Sequence, residues 1–141
     1  MKLLHTMLIA AALSISACDY SPKSSLGFRL PDGNAEKGQQ IFAQYQCASC
    51  HVIPGRDDLK IDSEPKMSVV IGGMTTQVKT YGQLVTSVIN PSHRISRYYR
   101  SEEYSDDGVS KMRNYNDVMT VSELIDLVTF LQSQYEEMPN Y

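Results

Sequence analysis

Three stretches of the chain carry apolar residues at the spacing of amphipathic helices. The first covers residues 35–45 and follows Asn34, a residue that favours helix N-caps; its apolar side carries Ile41 and Phe42. The second covers residues 81–89, and one of its faces carries Leu84, Val85, Val88 and Ile89. The third follows a capping box at residues 120–123, with its apolar face at Leu124, Leu127, Val128 and Leu131. Three helices joined by long loops predict an all-α domain.

The N-terminal residues have the layout of a secretory signal peptide. Lys2 precedes an apolar run of about a dozen residues, which is shorter than the roughly twenty that a membrane-spanning helix needs. The small residues before Cys18 resemble the lipobox of bacterial lipoproteins, in which this cysteine becomes the lipidated first residue of the mature protein. Ordinary cleavage after Ala17, leaving a free thiol, is the alternative.

The rest of the chain predicts one small domain on a tether. Residues 1–17 are the predicted lipoprotein signal peptide, residues 18–33 a lipid-anchored flexible linker, and residues 34–141 the folded domain. The linker contains several serines, prolines and glycines and has no sustained periodicity. The chain carries 13 basic and 16 acidic residues, a balance that argues against nucleic acid as a partner.

Residues 47–51, with the sequence CASCH, have the CxxCH spacing that attaches haem c. The thiols of Cys47 and Cys50 are spaced to add across two vinyl groups on one porphyrin edge. That linkage would place the adjacent imidazole against the iron, so His51 is the predicted fifth ligand of one covalently bound haem c. A redox dithiol or half of a zinc site has the same thiol spacing, but zinc requires a second ligand pair, and Cys18 stands alone.

Over roughly residues 34–134 the chain resembles the class I cytochrome c family. The resemblance rests on Gly38 and Phe42 in a helix before CxxCH, on Met112 in a loop and on Phe130 in the closing helix. It implies a fold in which the N- and C-terminal helices cross beside the covalently bound haem, with long loops. Gly38 would allow the close approach and the two phenylalanines would pack at the crossing, so a larger residue at position 38 should impair folding.

The expected sixth iron ligand is Met112, in the loop before the last helix. A thioether favours ferrous iron and therefore suits an electron carrier, and this loop is long enough to bring the sulfur across the haem. Other methionines are alternatives as ligands or as fillers of the core, and one histidine would give bis-histidine ligation. These alternatives are Met119, Met67, Met74 and His93.

Two positions depart from the family pattern. Arg113 stands where many members have a proline after the ligand methionine, which makes the loop less stiff. The chain also lacks the Gly-Pro pair whose proline carbonyl accepts the ring proton of the haem-ligating histidine. For His51, the candidates to replace that carbonyl are Pro54 and the loop at residues 72–73.

A short basic stretch with two tyrosines is followed directly by an acidic stretch. Such opposite patches steer encounters between electron-transfer partners, although a solvated loop with self-compensating charges is the alternative interpretation. Arginines near a haem also pair with its propionates. The basic residues are His93, Arg94, Arg97 and Arg100, with Arg113 further along, and the acidic residues are Glu102, Glu103, Asp106 and Asp107.

These features predict an electron-transfer protein rather than an enzyme. We expect a membrane-tethered monohaem cytochrome c in the bacterial cell envelope, facing the periplasm, with Asp19 pointing to the inner membrane. It would carry single electrons between redox partners of a respiratory chain, from a donor dehydrogenase or quinol-oxidising complex to an acceptor oxidase, freely or as a subunit of a larger complex.

Two other functions remain open from the residues. A haem protein with an open or labile distal site would act as a small peroxidase or as a gas or redox sensor, with distal hydrogen bonds from Tyr98, Tyr99, Tyr115 or His93. A thiol oxidoreductase would use the CxxC thiols and bind no haem, which would make His51 incidental.

Overall fold

Three α-helices begin and end close to the predicted positions. The computed structural model describes residues 30–62, 67–75 and 78–137, all of which except Leu30 belong to one unit, Pro31–Tyr141. Its helices are α1 (Ala35–Gln44), α2 (Tyr81–Ile89) and α3 (Val121–Ser133). None of these described helices is long and apolar enough to cross a membrane. The predicted signal peptide and Cys18 lie outside the described residues.

Side-chain caps explain where the helices start. The Asn34 side chain accepts a hydrogen bond of 2.9 Å from the Lys37 N–H, as the sequence predicts for α1. Thr120 and Glu123 form the predicted capping box of α3, in which each side chain bonds the other residue's backbone N–H. An additional box begins α2 at Thr80. These caps satisfy backbone donors that a helix start otherwise leaves unpaired.

The first and last helices cross in close contact, which confirms the predicted cytochrome c fold. A Cβ atom on Gly38 would lie 2.0 Å from the Asp126 carbonyl oxygen and 2.6 Å from the Phe130 Cβ, so only glycine fits between the helices. The rings of Phe42 and Phe130 pack with centroids 5.7 Å apart, and each residue is only 2 % exposed. The Asn34 N–H donates to the Asp126 carboxylate at 2.7 Å and ties the start of α1 to α3.

The core is built from one face of each helix. Two predicted positions differ. Ile89 is 39 % exposed, because it is the last residue of α2 and the chain leaves the helix there. Leu124 is half-buried, because α1 packs against the side of α3 that carries Asp126 and Phe130. The buried face of α3 is therefore centred closer to that side than the apolar pattern predicted. The buried hydrophobic side chains of the helices are Ile41, Phe42, Leu84, Val85, Val88, Ile125, Leu127, Val128, Phe130 and Leu131.

Short strands in the loops add structure that the hydrophobic pattern did not predict. Each strand has only two or three residues, which is too short for an alternating pattern to be recognised. The strands form three pairs: β1 (His51–Val52) with β2 (Val69–Val70), β3 (Gly73–Thr75) with β6 (Tyr135–Glu137), and β4 (Ser105–Asp106) with β5 (Val109–Ser110). The β1–β2 and β3–β6 pairs are parallel, and the β4–β5 pair is antiparallel.

Candidate haem site

The end of α1 turns the chain directly into the CxxCH motif. Gln46 adopts a left-handed backbone conformation with φ of 54°, an uncommon state for a residue other than glycine. The 3₁₀ turn Cys47–Ser49 follows, and the Cys50 N–H donates to the Cys47 carbonyl at 3.2 Å. Both thiols therefore belong to one tight turn that α1 positions.

The strand pair β1–β2 holds His51 in place. In the parallel register His51 lies opposite Val69, and the Val69 N–H donates to the Cys50 carbonyl at 2.9 Å. The His51 Nδ1 lies 3.4 Å from the Val69 carbonyl oxygen, a long hydrogen bond. Because a carbonyl oxygen only accepts, this contact puts the ring proton on Nδ1 and leaves the lone pair of Nε2 free for a metal.

Val69 thus replaces the expected acceptors of the His51 ring proton, and the candidates Pro54 and residues 72–73 were wrong. The parallel register brings residue 69, rather than either candidate, opposite the imidazole. Pro54 instead packs beside Gly73, with its Cγ 3.2 Å from the position of a Gly73 Cβ. The Gly73 N–H donates to the Gln134 carbonyl at 2.9 Å, so this loop faces the end of α3.

Burial sets the protonation of the site. It lowers the pKa of His51, and the hydrogen bond to Val69 opposes that effect only in part, so the imidazole is neutral, as a metal ligand must be. Burial also raises the pKa of Cys47 to about 11. A catalytic dithiol requires a lowered thiol pKa, so Cys47 argues against the thiol-oxidoreductase interpretation. The described part of the chain holds no group of three or more His, Cys, Asp or Glu side chains suited to a metal ion.

An apolar cavity of about 140 Å³ borders His51. It reaches the helix crossing through Phe42, and its lining also includes Arg56 and Lys60. An imidazole with a free Nε2, two unpaired thiols in the preceding turn and an apolar wall are the groups that a covalently bound haem needs, so the residues fit haem c. The apolar lining consists of Phe42, Ala48, Val52, Ile53, Leu59 and Ile61.

Arg56 fastens the loop after the motif to both terminal helices. Its guanidinium donates two hydrogen bonds to Asp58, at 2.9 and 2.8 Å, and one each to Gln39 at 2.7 Å and Gln134 at 2.9 Å. It also lies 5.5 Å from the centroid of the Phe130 ring. No sequence pattern predicts this role of Arg56, because Gln134 is 78 residues away along the chain.

Tyr115 brings the loop that carries Met112 next to the motif. Its ring packs edge-on against Tyr45 with centroids 5.4 Å apart, and its hydroxyl donates to the Tyr45 carbonyl at 3.3 Å. Burial raises the pKa of Tyr115, and the nearby Cys47 and Cys50 raise it further. The aromatic contact therefore places residue 115 close to both thiols, three positions after Met112 in the chain.

The candidate sixth ligands differ in exposure. Met112 is half-buried, and its backbone N–H donates to the Ser110 hydroxyl at 3.2 Å. Met119 is also half-buried, and its N–H donates to the Tyr115 carbonyl at 2.8 Å. Met67 is half-buried as well, whereas Met74 and His93 are exposed. The choice of Met112 as sixth ligand stays a prediction.

The fold that carries these residues is that of a c-type cytochrome. The sequence profile of the family described as cytochrome c matches residues 35–134, which is more than half of the chain, and the chain belongs to that family. The family binds haem c covalently through its iron-containing porphyrin, so haem c is the cofactor and the protein is a haem-based electron-transfer protein. A comparison with curated proteins gave no match, and neither did a comparison with solved structures.

Proposed function

We propose that this protein is a membrane-tethered, class I monohaem cytochrome c that carries single electrons between redox partners of a bacterial respiratory chain. The geometry at His51 carries the proposal, because its ring is oriented by Val69 and its Nε2 is free beside the two thiols. Cys47 and Cys50 would hold the haem by thioether bonds, and His51 would bind its iron. Bound haem c supplies one iron centre that changes by a single electron.

Met112 is the proposed sixth ligand. The contact between Tyr115 and Tyr45 supports it, because it brings the Met112 loop to the motif. The alternative with an open distal site is less well supported by the tyrosines: Tyr115 already donates its hydroxyl proton to a backbone carbonyl, and Tyr98 is 73 % exposed. A methionine ligand raises the reduction potential and suits a carrier between a donor and an acceptor.

The tether and partners complete the proposal. Lipidation of Cys18 would anchor the protein to the periplasmic face of a membrane, and Asp19 favours the inner membrane. The partners would be a donor dehydrogenase or quinol-oxidising complex and an acceptor oxidase, met freely or within a larger complex. The lipobox-like sequence and the cytochrome c family support this arrangement.

The Met112→Ala variant is expected to lower the reduction potential and to let the reduced haem bind carbon monoxide, because the iron loses its thioether ligand. The measurement is the optical spectrum of the reduced, membrane-extracted protein with and without carbon monoxide, together with a potential titration. The wild type should show a c-type spectrum that carbon monoxide does not change.

Met119→Ala is the matched control, because Met119 is half-buried in the same loop but lies directly beside the α3 cap. It should reduce stability and leave the spectrum unchanged. If Met119→Ala opens the iron and Met112→Ala does not, the ligand is Met119. Rapid carbon monoxide binding by the wild type would instead favour the peroxidase or sensor function.

Cys18→Ser is expected to move the protein from the membrane fraction to the soluble fraction, because serine cannot receive the thioether-linked lipid. Fractionation of cells followed by detection of the haem measures the change, and Ser24→Ala in the same linker serves as the control. Unchanged membrane retention of the Cys18 variant would mean an uncleaved signal or a tight complex with a membrane partner.

A further inference from the structure

The loops between α2 and α3 border a second cavity, of about 490 Å³, which is open to solvent. Its lining includes Ser92, His93, Arg94, Arg100 and Ser105. None of these residues lines the apolar cavity beside His51. The lining of this second cavity is more polar than that of the first and includes two arginines.

The arginines of this cavity have no carboxylate partner in the described part of the chain. The ion pairs found among residues 30–62, 67–75 and 78–137 are Arg56 with Asp58 and Lys60 with Asp57. The acidic stretch that follows Arg100 does not line the cavity, and its four carboxylate residues are exposed. Among these described residues, therefore, no ion pair joins the basic stretch to the acidic stretch.

Hydroxyl groups complete the polar lining and connect it to the Met112 loop. The Ser92 hydroxyl oxygen accepts a hydrogen bond from the Ser110 N–H at 3.1 Å, which leaves its own proton available to an acceptor. Ser110 in turn accepts from the Met112 N–H at 3.2 Å. Ser105, another lining residue, is only 6 % exposed. The lining therefore offers several hydrogen-bond donors, among them two guanidinium groups and a serine with a free proton.

We propose that this cavity is a carboxylate-binding pocket in which Arg94 and Arg100 hold one carboxylate-bearing group. A guanidinium matches a carboxylate in planar two-point contact, and two of them lining one cavity suit a ligand with more than one carboxylate group. The assignment rests on the proposed electron carrier, because that function supplies two sources of this chemistry. They are the propionates of the protein's own haem c and the carboxylates of a second molecule.

The experiment compares Arg94→Gln and Arg100→Gln with Arg97→Gln in the full-length, haem-loaded protein. Arg97 belongs to the same basic stretch and loses the same charge, but it does not line the cavity; its guanidinium lies 5.0 Å from the centroid of the exposed Tyr98 ring. Citrate is the soluble probe, titrated by calorimetry at constant ionic strength. The midpoint potential of each variant is measured in parallel.

Two results support the pocket and distinguish the source of the carboxylate. If the ligand comes from a second molecule, citrate binds the wild type and Arg97→Gln saturably and binds the two cavity variants about tenfold more weakly or worse. If the propionates occupy the pocket, citrate binds none of the proteins. The cavity variants then lower the midpoint potential more than Arg97→Gln, because losing a cation bonded to a propionate stabilises ferric iron.

The proposal is overturned if all three arginine variants behave alike in both measurements, since the effect would then be general electrostatic attraction. Arg94→Lys and Arg100→Lys, which keep the charge and lose the planar fork, should show most of the loss of citrate affinity seen in the glutamine variants. If the spectrum is that of a normal c-type haem and the arginine variants all behave alike, the pocket is rejected and the electron-carrier function is not. If the protein shows no haem absorption bands, the electron-carrier function is rejected, and the citrate titration of the same protein still tests the pocket.

Discussion

Replacing Cys47 or Cys50 with alanine is expected to abolish stable haem attachment, and replacing His51 with alanine is expected to leave little mature holoprotein. Each cysteine change removes one of the two thiols in the turn that follows α1. The histidine change removes the imidazole that the Val69 carbonyl orients. Haem that stays with the polypeptide on a denaturing gel measures the covalent attachment, and the yield of coloured protein measures maturation.

Ser49→Ala is the matched control for these variants. Ser49 lies between the two thiols, with its hydroxyl oxygen 3.6 Å from the Cys50 sulfur, and has no proposed contact with the haem. Its holoprotein should form in wild-type yield. Normal yields from the Cys47, Cys50 and His51 variants would show that the haem is attached elsewhere.

Gly38→Ala is expected to destabilise the protein by about 3 kcal/mol, the upper end of the usual cost of overpacking, because the backbones of the two helices must separate. The new Cβ would lie 2.0 Å from the Asp126 carbonyl oxygen, which is backbone and cannot rotate away. Separating the helices would also disturb the packing of Phe42 on Phe130. Urea unfolding of the holoprotein, followed by far-ultraviolet circular dichroism, gives the change in free energy of unfolding.

Gly82→Ala provides the control for Gly38→Ala. Gly82 is also helical, but a Cβ there meets no atom within 4 Å. This variant should be as stable as the wild type or more stable by up to about 1 kcal/mol, the helix-propensity gain of alanine over glycine. If both glycine variants unfold at the same urea concentration as the wild type, the result contradicts the close contact between α1 and α3 at Gly38.

The parts of the fold that the sequence predicted are those that neighbouring residues determine. Asn34 caps α1 through a residue three positions away, and the box of Thr120 and Glu123 begins α3 in the same way. Apolar spacing identified all three described helices, and the CxxCH motif is contiguous in the chain. The roles of Gly38 and Phe42 at the helix crossing were predicted only because the pattern resembles a known family.

The parts that the sequence did not predict depend on distant residues. The acceptor for His51 comes from a strand 18 residues further along, and a two-residue strand leaves no recognisable alternation. The hydrogen bonds of Arg56 likewise depend on where Gln134 lies after folding. The basic stretch was recognised as charged, but only the folded loops show that Arg94 and Arg100 face one cavity.

The helix crossing also bears on the order of assembly. Asn34 and Asp126, which meet at 2.7 Å, are 92 residues apart in the chain, and closing a flexible loop of that length costs about 4 kcal/mol of chain entropy. That cost precedes the packing that offsets it, so a topology with such distant contacts folds slowly. Residues 47–51 lie inside this loop, directly after α1. The attachment motif should therefore stay accessible to the haem-attachment machinery until α3 arrives.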